Sequence, residues 1–165
     1  MKLYLIGLPG SGKSFLGKQL AEQAKVPFID LDNTIEQEVG VSISEIFSDK
    51  GEEYFRGLEA VVLRHSSLET DFVMACGGGA PCFHDNMKFM NTSGKTIFLN
   101  TPISEIISRL NTSEQQNRPL LAGTKPEQLD EKLKHLLAKR VSFYSQAHFT
   151  INQASPSEIL SLLKK

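Results

Sequence analysis

Residues 2–14 read "KLYLIGLPGSGKS". After Lys2 the stretch up to Gly7 is apolar, the pattern of a short strand buried on both faces of a parallel sheet. From Gly7 onward the residues match G-x-x-x-x-G-K-[ST], with Gly12, Lys13 and Ser14 at the fixed positions and Gly10 and Ser11 inside the loop. Glycines let successive backbone N–H groups turn inward around phosphate oxygens without Cβ clashes. The helix predicted after the loop adds unpaired N–H groups and the positive end of its dipole. Lys13 can then neutralise the outer phosphates of a nucleotide, while the Ser14 hydroxyl is placed to ligate a divalent cation. A glycine-rich turn beside a surface lysine is the bland alternative. A strand before the loop and a helix after it favour the phosphate reading.

Outward from this loop, short apolar runs alternate with longer helical patterns. Strands are predicted at 2–7, 27–32, 72–77, 95–100 and 148–152, and helices at 13–25, 33–48, 51–68, 84–91, 103–111, 125–145 and 156–164. Thr101-Pro102 reads as a cap with a first-turn proline, and Thr124 and Glu127 have capping-box spacing. This alternation predicts an α/β three-layer sandwich built on a parallel sheet. At 165 residues the chain is expected to form one domain, residues 1–165, burying roughly 70% of its unfolded surface. Only 112–124, which includes Arg118-Pro119, lacks clear periodicity, and it is read as a mobile lid.

Composition removes several function classes. A net charge of −1 at pH 7 gives no electrostatic footprint for nucleic acid or for an anionic membrane. No segment approaches the ~20 apolar residues of a membrane span. Cys76 and Cys82 have neither Cys-x-x-Cys nor zinc-ligand spacing, so free thiols in a reducing compartment, the cytoplasm, are expected. No N-K-x-D run marks a guanine-reading GTPase, and no D-x-x-G segment marks a switch. A small-molecule kinase suits the size best. With no heptad or obvious exposed apolar stripe, a monomer is the expected state.

The acceptor side is written less plainly. A second glycine-rich stretch, "MACGGGAP" at 74–81, lacks a following Lys-Ser pair and so cannot do the first loop's work. It reads either as a site of close backbone approach to a ligand or as a tight turn. Asp30 and Asp32 in "FIDLD" would face the same side of a strand, where carboxylates can hold a metal through water and orient a hydroxyl. Alternatively, Asp32 only caps the helix beginning at Asn33. Arg140 lies on the apolar stripe Leu129, Leu133, Leu136, Leu137 and Tyr144, so it either snorkels to the rim or meets an anion inside. Arg56 lies at the edge of a buried face, and a surface position is its simpler reading. Two inward arginines would suit a carboxylate, and Arg118 could act as an arginine finger on the transferring phosphoryl group.

Six segments together, "GLPGSGKS", "FIDLD" with "TIEQEVGVSISEIF", "GEEYFR", "GGGA", "RPLL" and "LLAKRVSFY", resemble the shikimate kinase family in order and spacing over nearly the full length. The resemblance implies the nucleoside-monophosphate-kinase fold, with a five-stranded parallel sheet in the order 2-3-1-4-5. It implies transfer of the γ-phosphate of ATP to the 3-hydroxyl of shikimate, a step toward chorismate and aromatic amino acids. By the same resemblance Gly10, Ser11, Gly12, Lys13, Ser14 and Phe15 would bind ATP, with Arg109 and Gln153 by the adenine. Ser14 would ligate one Mg²⁺ directly and Asp30 through water. Asp32 would bind shikimate and serve as the base. Arg56 and Arg140 would grip its carboxylate within a helical acceptor region at about 32–60. Gly77, Gly78 and Gly79 would line it, and Arg118 would reach the phosphates from the lid. Lys13, Asp32 and Arg118 form the implied catalytic set. Cys76 departs from the Ser or Thr usual before the glycines. Gluconate kinases and nucleoside monophosphate kinases share the fold and the loop. A non-catalytic nucleotide-binding module is the rival from another class.

Overall fold

The computed structural model describes residues 1–110, 121, 123–153 and 155–164. Five strands, β1 (Lys2–Ile6), β2 (Phe28–Asp30), β3 (Phe72–Ala75), β4 (Lys95–Leu99) and β5 (Phe149–Ile151), form one parallel sheet in the order β2-β3-β1-β4-β5. The helices are α1 (Lys13–Ala24), α2 (Leu31–Val39), α3 (Ile43–Ser66), α4 (Asn86–Ser93), α5 (Ile103–Leu110), α6 (Leu129–Tyr144) and α7 (Pro156–Leu163). The three-layer α/β architecture and the strand order are those expected.

Alternation along the strands sorts residues into two cores. Leu3 and Leu5 face one way with Val73, Ile97 and Leu99, and are covered by Leu20 and Ala21 of α1 and Ile159 of α7. Tyr4 and Ile6 face the other way with Met74 and Phe98, beneath residues of α2 to α6. Both faces being covered is why β1 is apolar throughout rather than alternating. Each large apolar side chain buried in this way contributes roughly 1.5–3 kcal/mol, and Leu3, Tyr4, Leu5 and Ile6 are all fully buried. The chain leaves β1 toward β2 and β3, then returns past β1 to lay down β4 and β5. Strand order therefore reverses at the carboxyl end of β1, where open α/β sheets bind ligands.

Helix boundaries depart from expectation at three places. The break expected at 49–50 lies at 40–42 instead. Gly40 ends α2 with φ 77 and its N–H on the Glu36 carbonyl, and Ser42 with Glu45 forms a capping box that starts α3. That helix runs on to Ser66, with non-helical backbone at Gly51 (φ 81, ψ 171). Near residue 125 the expected capping box does not form. A short 3-10 turn (Pro126–Gln128) begins after Lys125 with no side-chain cap. Thr101 is not the cap of α5 either: the Pro102 carbonyl accepts the Glu105 and Ile106 N–H groups at the helix start, while the Thr101 hydroxyl donates to the Ser11 carbonyl at 2.9 Å and ties the start of α5 to the phosphate loop. One surface feature was not anticipated. Tyr54, Val61 and Leu68 are exposed at seven-residue spacing along α3 and just beyond it.

Among the described residues, no helix is long and apolar enough to cross a membrane.

Candidate active site

The phosphate loop joins β1 to α1 at the strand-order reversal. Gly10 and Gly12 have φ of 79 and 95, values at which a side chain would strain the backbone. The Lys13 ammonium is buried under the loop and donates to the carbonyls of Gly7 (3.0 Å) and Leu8 (2.8 Å). Arg109 of α5 pairs with Glu105 and lies across the loop, its guanidinium so near Gly12 that an added Cβ would sit 2.8 Å from Nη1.

Asp30 and Asp32 come together by a route other than the one expected. Only Asp30 is on a strand. Asp32 lies in the first turn of α2, so the same-side-of-a-strand argument does not apply, and neither does the reading of Asp32 as a cap. Asp30 is the N-cap, accepting the Asn33 N–H at 3.4 Å. Its other oxygen accepts the Ser14 hydroxyl at 2.7 Å, which links the second strand's end to the phosphate loop. This hydroxyl–carboxylate pair offers the hard oxygen donors that suit a divalent cation such as Mg²⁺. Among the described residues, no group of three or more His, Cys, Asp or Glu is arranged to hold a metal ion. A hydroxyl and a single carboxylate are the small set of protein oxygens that Mg²⁺ commonly takes in phosphoryl-transfer sites.

The glycine triplet explains itself by what touches it. A Cβ on Gly77 would lie 2.9 Å from Asp32 Oδ1 and 3.0 Å from Glu59 Oε1. On Gly78 it would lie 3.0 Å from Arg140 Nη1, and on Gly79 2.4 to 2.8 Å from three atoms of the Arg56 guanidinium. Each glycine thus makes room for a different charged group. None of the three has a positive φ, so close approach is the requirement and not an unusual turn. The Gly78 carbonyl accepts the Tyr144 hydroxyl at 2.5 Å, which fixes the loop to α6. Burial, with Arg140 opposing it, pushes the Tyr144 hydroxyl up to about 12.

Arg56, for which a surface place was the simpler reading, is 3% exposed, and Arg140 on its stripe is 6% exposed. Arg56 donates to Glu59 Oε2 at 2.8 Å and to Glu52 Oε1 at 3.1 Å. Glu59 is fully buried. Burial raises its carboxyl to about 7, against the neighbouring Arg56 charge, which lowers it, with Asp32 adding to the rise. Two buried polar atoms lack a hydrogen-bond partner among the described residues, Glu59 Oε1 and Arg140 Nη1. Leaving an acceptor and a charged donor unsatisfied inside a protein is costly, and both atoms lie along the triplet.

One continuous cleft of about 1390 Å³ is lined by the phosphate loop, Asp30, Asp32 and the triplet. It exceeds the roughly 300–1,000 Å³ of a pocket for one drug-sized molecule and has room for two ligands side by side. The family model for shikimate kinase matches residues 9–164.

The chain belongs to the shikimate kinase family.

A curated shikimate kinase from Bacteroides thetaiotaomicron is 42% identical over 152 residues, covering 92% of this chain and 86% of that protein. The crystal structure of shikimate kinase from the same species aligns with a TM-score of 0.94 and 38% identity over 100% of this chain and 99% of that one. A shikimate kinase from Acinetobacter baumannii, solved in complex with shikimate, aligns with a TM-score of 0.89 and 36% identity, covering 99% of this chain and 92% of that one. As a shikimate kinase the chain is an ATP-dependent phosphotransferase, and the use of ATP implies a divalent metal.

The structure brings most of the expected shikimate kinase residues to one cleft. Gly10, Ser11, Gly12, Lys13, Ser14, Phe15, Asp30, Asp32, Arg56, Gly77, Gly78, Gly79, Arg109, Arg140 and Gln153 all line it. Arg118 and most of the segment 112–124 lie outside the described residues. Cys76 turns its thiol into the core, 3.6 Å from Met90 Sδ, and burial raises its pKa far above that of an ordinary thiol. Sequence reasoning missed Glu59. The helical-stripe test applied to Arg140 finds it, because Glu59 falls on one stripe with Phe55, Val62 and Leu63, all buried. Tyr144 was read only as an apolar stripe residue, and nothing in the sequence assigns its hydroxyl to the Gly78 carbonyl.

Proposed function

We propose that the acceptor, shikimate, lies over the glycine triplet and receives the γ-phosphate of ATP on its 3-hydroxyl, giving shikimate 3-phosphate and ADP. The observation that carries this reading is the pair of buried, unpartnered polar atoms along the triplet, Glu59 Oε1 and Arg140 Nη1. An acceptor with hydroxyls at one end and a carboxylate at the other satisfies both. Arg56 and Arg140 take the carboxylate, to which forked guanidinium donors are matched. Asp32, Glu59 and the Gly78 backbone take the hydroxyls.

Asp32 orients the 3-hydroxyl and accepts its proton as the oxygen forms its bond to the γ-phosphorus and the bond to the bridging oxygen of ADP breaks. Lys13 and the loop N–H groups neutralise charge on the phosphates, and positioning supplies most of the rate. Mg²⁺ fits the Ser14 and Asp30 oxygens and would spread charge over the β- and γ-phosphates. Arg109, Gln153 and Phe15 border the nucleoside. Arg118 lies outside the described residues and is assigned to the transferring group by the family resemblance alone, and the helical region at about 32–60 frames the acceptor. A single domain spanning 1–165, acting as a monomer in the cytoplasm, completes the reading. Free thiols and the need for ATP support that compartment.

Parallel phosphorylation assays with shikimate, gluconate and nucleoside monophosphates test the proposal. Turnover confined to shikimate is expected. Turnover of gluconate without shikimate would overturn the acceptor assignment, and ATP binding with no turnover of any acceptor would favour the non-catalytic module.

A further inference from the structure

Phe83 belongs to neither apolar core and is 37% exposed, yet its ring lies 4.6 Å from the Arg56 guanidinium carbon. Phe55 is also near that carbon, at 5.1 Å, but its place follows from the core, where it is buried against Phe47. Hydrophobic burial does not account for Phe83 in the same way. Its backbone is fixed from both sides. Before it, the turn after the triplet is closed by the Cys82 N–H on the Gly79 carbonyl at 3.0 Å. After it, His84 and Asp85 both take left-handed backbone, with φ of 49 and 56, uncommon for non-glycine residues and kept where the surroundings favour it. Here they do. Arg64 donates to the His84 carbonyl (2.8 Å) and to Asn86 Oδ1 (2.7 Å), and the buried Asn86 amide donates to the Ala80 carbonyl (3.0 Å). The Asn86 N–H also closes the turn on the Phe83 carbonyl at 2.9 Å. This segment carries the ring back over Arg56.

Arg56 uses three of its five N–H donors on Glu52 and Glu59, leaving two. Its Nη2, Cζ and Nη1 are nearly equidistant from a Cβ position on Gly79, as for a guanidinium lying flat against that glycine. We infer that Phe83 is a positioning residue of the acceptor site: its ring stacks on Arg56 and holds the guanidinium flat on Gly79, with two donors left for the acceptor's carboxylate. The inference rests on the assignment of Arg56 to that carboxylate. Cation–π attraction requires an aromatic face and not merely apolar bulk.

The test compares wild type, Phe83→Leu and Phe83→Tyr by steady-state kinetics with shikimate and ATP varied separately. Leucine keeps apolar bulk and removes the ring. The expected result is a rise of about 3- to 10-fold in shikimate KM for Phe83→Leu, with ATP KM unchanged and kcat within about twofold, and recovery in Phe83→Tyr. An unchanged shikimate KM in Phe83→Leu, an ATP KM rising in step, or a tyrosine variant as impaired as the leucine one each overturns it. If wild type fails to phosphorylate shikimate at all, the functional assignment falls and this inference with it. Normal wild-type turnover with an indifferent Phe83→Leu removes the inference alone.

Discussion

In the phosphate loop, Gly10 and Gly12 take φ of 79 and 95. In the triplet no φ is positive, and Gly79 has φ −89 and ψ −14, open to any residue. The first loop needs glycine for backbone shape as well as for space, since a Cβ on Gly10 or Gly12 would also crowd Ile106 or Arg109, and it presents its own N–H groups. The second needs glycine for space, because Asp32, Glu59, Arg140 and Arg56 crowd onto it from three helices. A site made of backbone is confined to one short segment. A site made of side chains is assembled from distant ones, and its glycines mark only where they converge.

If the triplet is the acceptor side, damage there should separate cleanly from damage to the donor side. Asp32→Asn should have the largest effect, cutting kcat by about 10²- to 10⁴-fold while nucleotide affinity stays within about twofold. Near-normal turnover removes Asp32 from proton transfer. Arg140→Ala should weaken acceptor binding by about 2–5 kcal/mol, read as shikimate KM or by calorimetry. An unchanged value would make the stripe arginine purely structural. Gly79→Ala drives a methyl into the Arg56 guanidinium and should cost about 10- to 100-fold in shikimate affinity with nucleotide affinity retained. Gly12→Ala should show the reverse pattern, and equal losses of both ligands in either variant would erase the distinction between the loops.

The smallest effect expected concerns pH. Burial raises the Glu59 carboxyl from its ordinary value of 4.5 to about 7, so the folded chain keeps a proton that the unfolded chain has lost in between. The stability this supplies is fully present below 4.5 and is lost as pH rises through about 7. Relative to Glu59→Gln, wild-type unfolding free energy should fall by about 1–3 kcal/mol across that window. Denaturant titrations at several pH values would measure it, and parallel curves for the two proteins would contradict it.

What the sequence discloses follows the same division. The phosphate loop and the order of strands and helices are local patterns and match expectation, although the helix break after α2 and the end of β2 lie elsewhere than predicted. Arg140 was legible because one helical stripe shows an arginine among leucines. Glu59 obeys the same rule on α3 but was overlooked beside Arg56, whose own burial depends on pairing with it. Asp32 lies in the right place for a reason that strand periodicity could not supply. The chain turns into α2 directly after Asp30, and the cap is Asp30 itself. The helix break at Gly40 was written as "VGVSISE", a left-handed glycine and a capping box, weaker in the apolar pattern than in the turn chemistry. Contacts such as Tyr144 to Gly78, 66 residues apart, depend on α6 packing beside the triplet and have no local signature.

The central claim is that one cleft holds a nucleotide on the first glycine loop and shikimate on the second. Calorimetric titration of shikimate into the chain, with and without a non-hydrolysable ATP analogue and repeated on Gly79→Ala, tests it most directly. The account predicts one shikimate per chain in wild type with the analogue bound, and loss of shikimate but not of the analogue in the variant. Wild type that binds the analogue yet takes up no shikimate would contradict it.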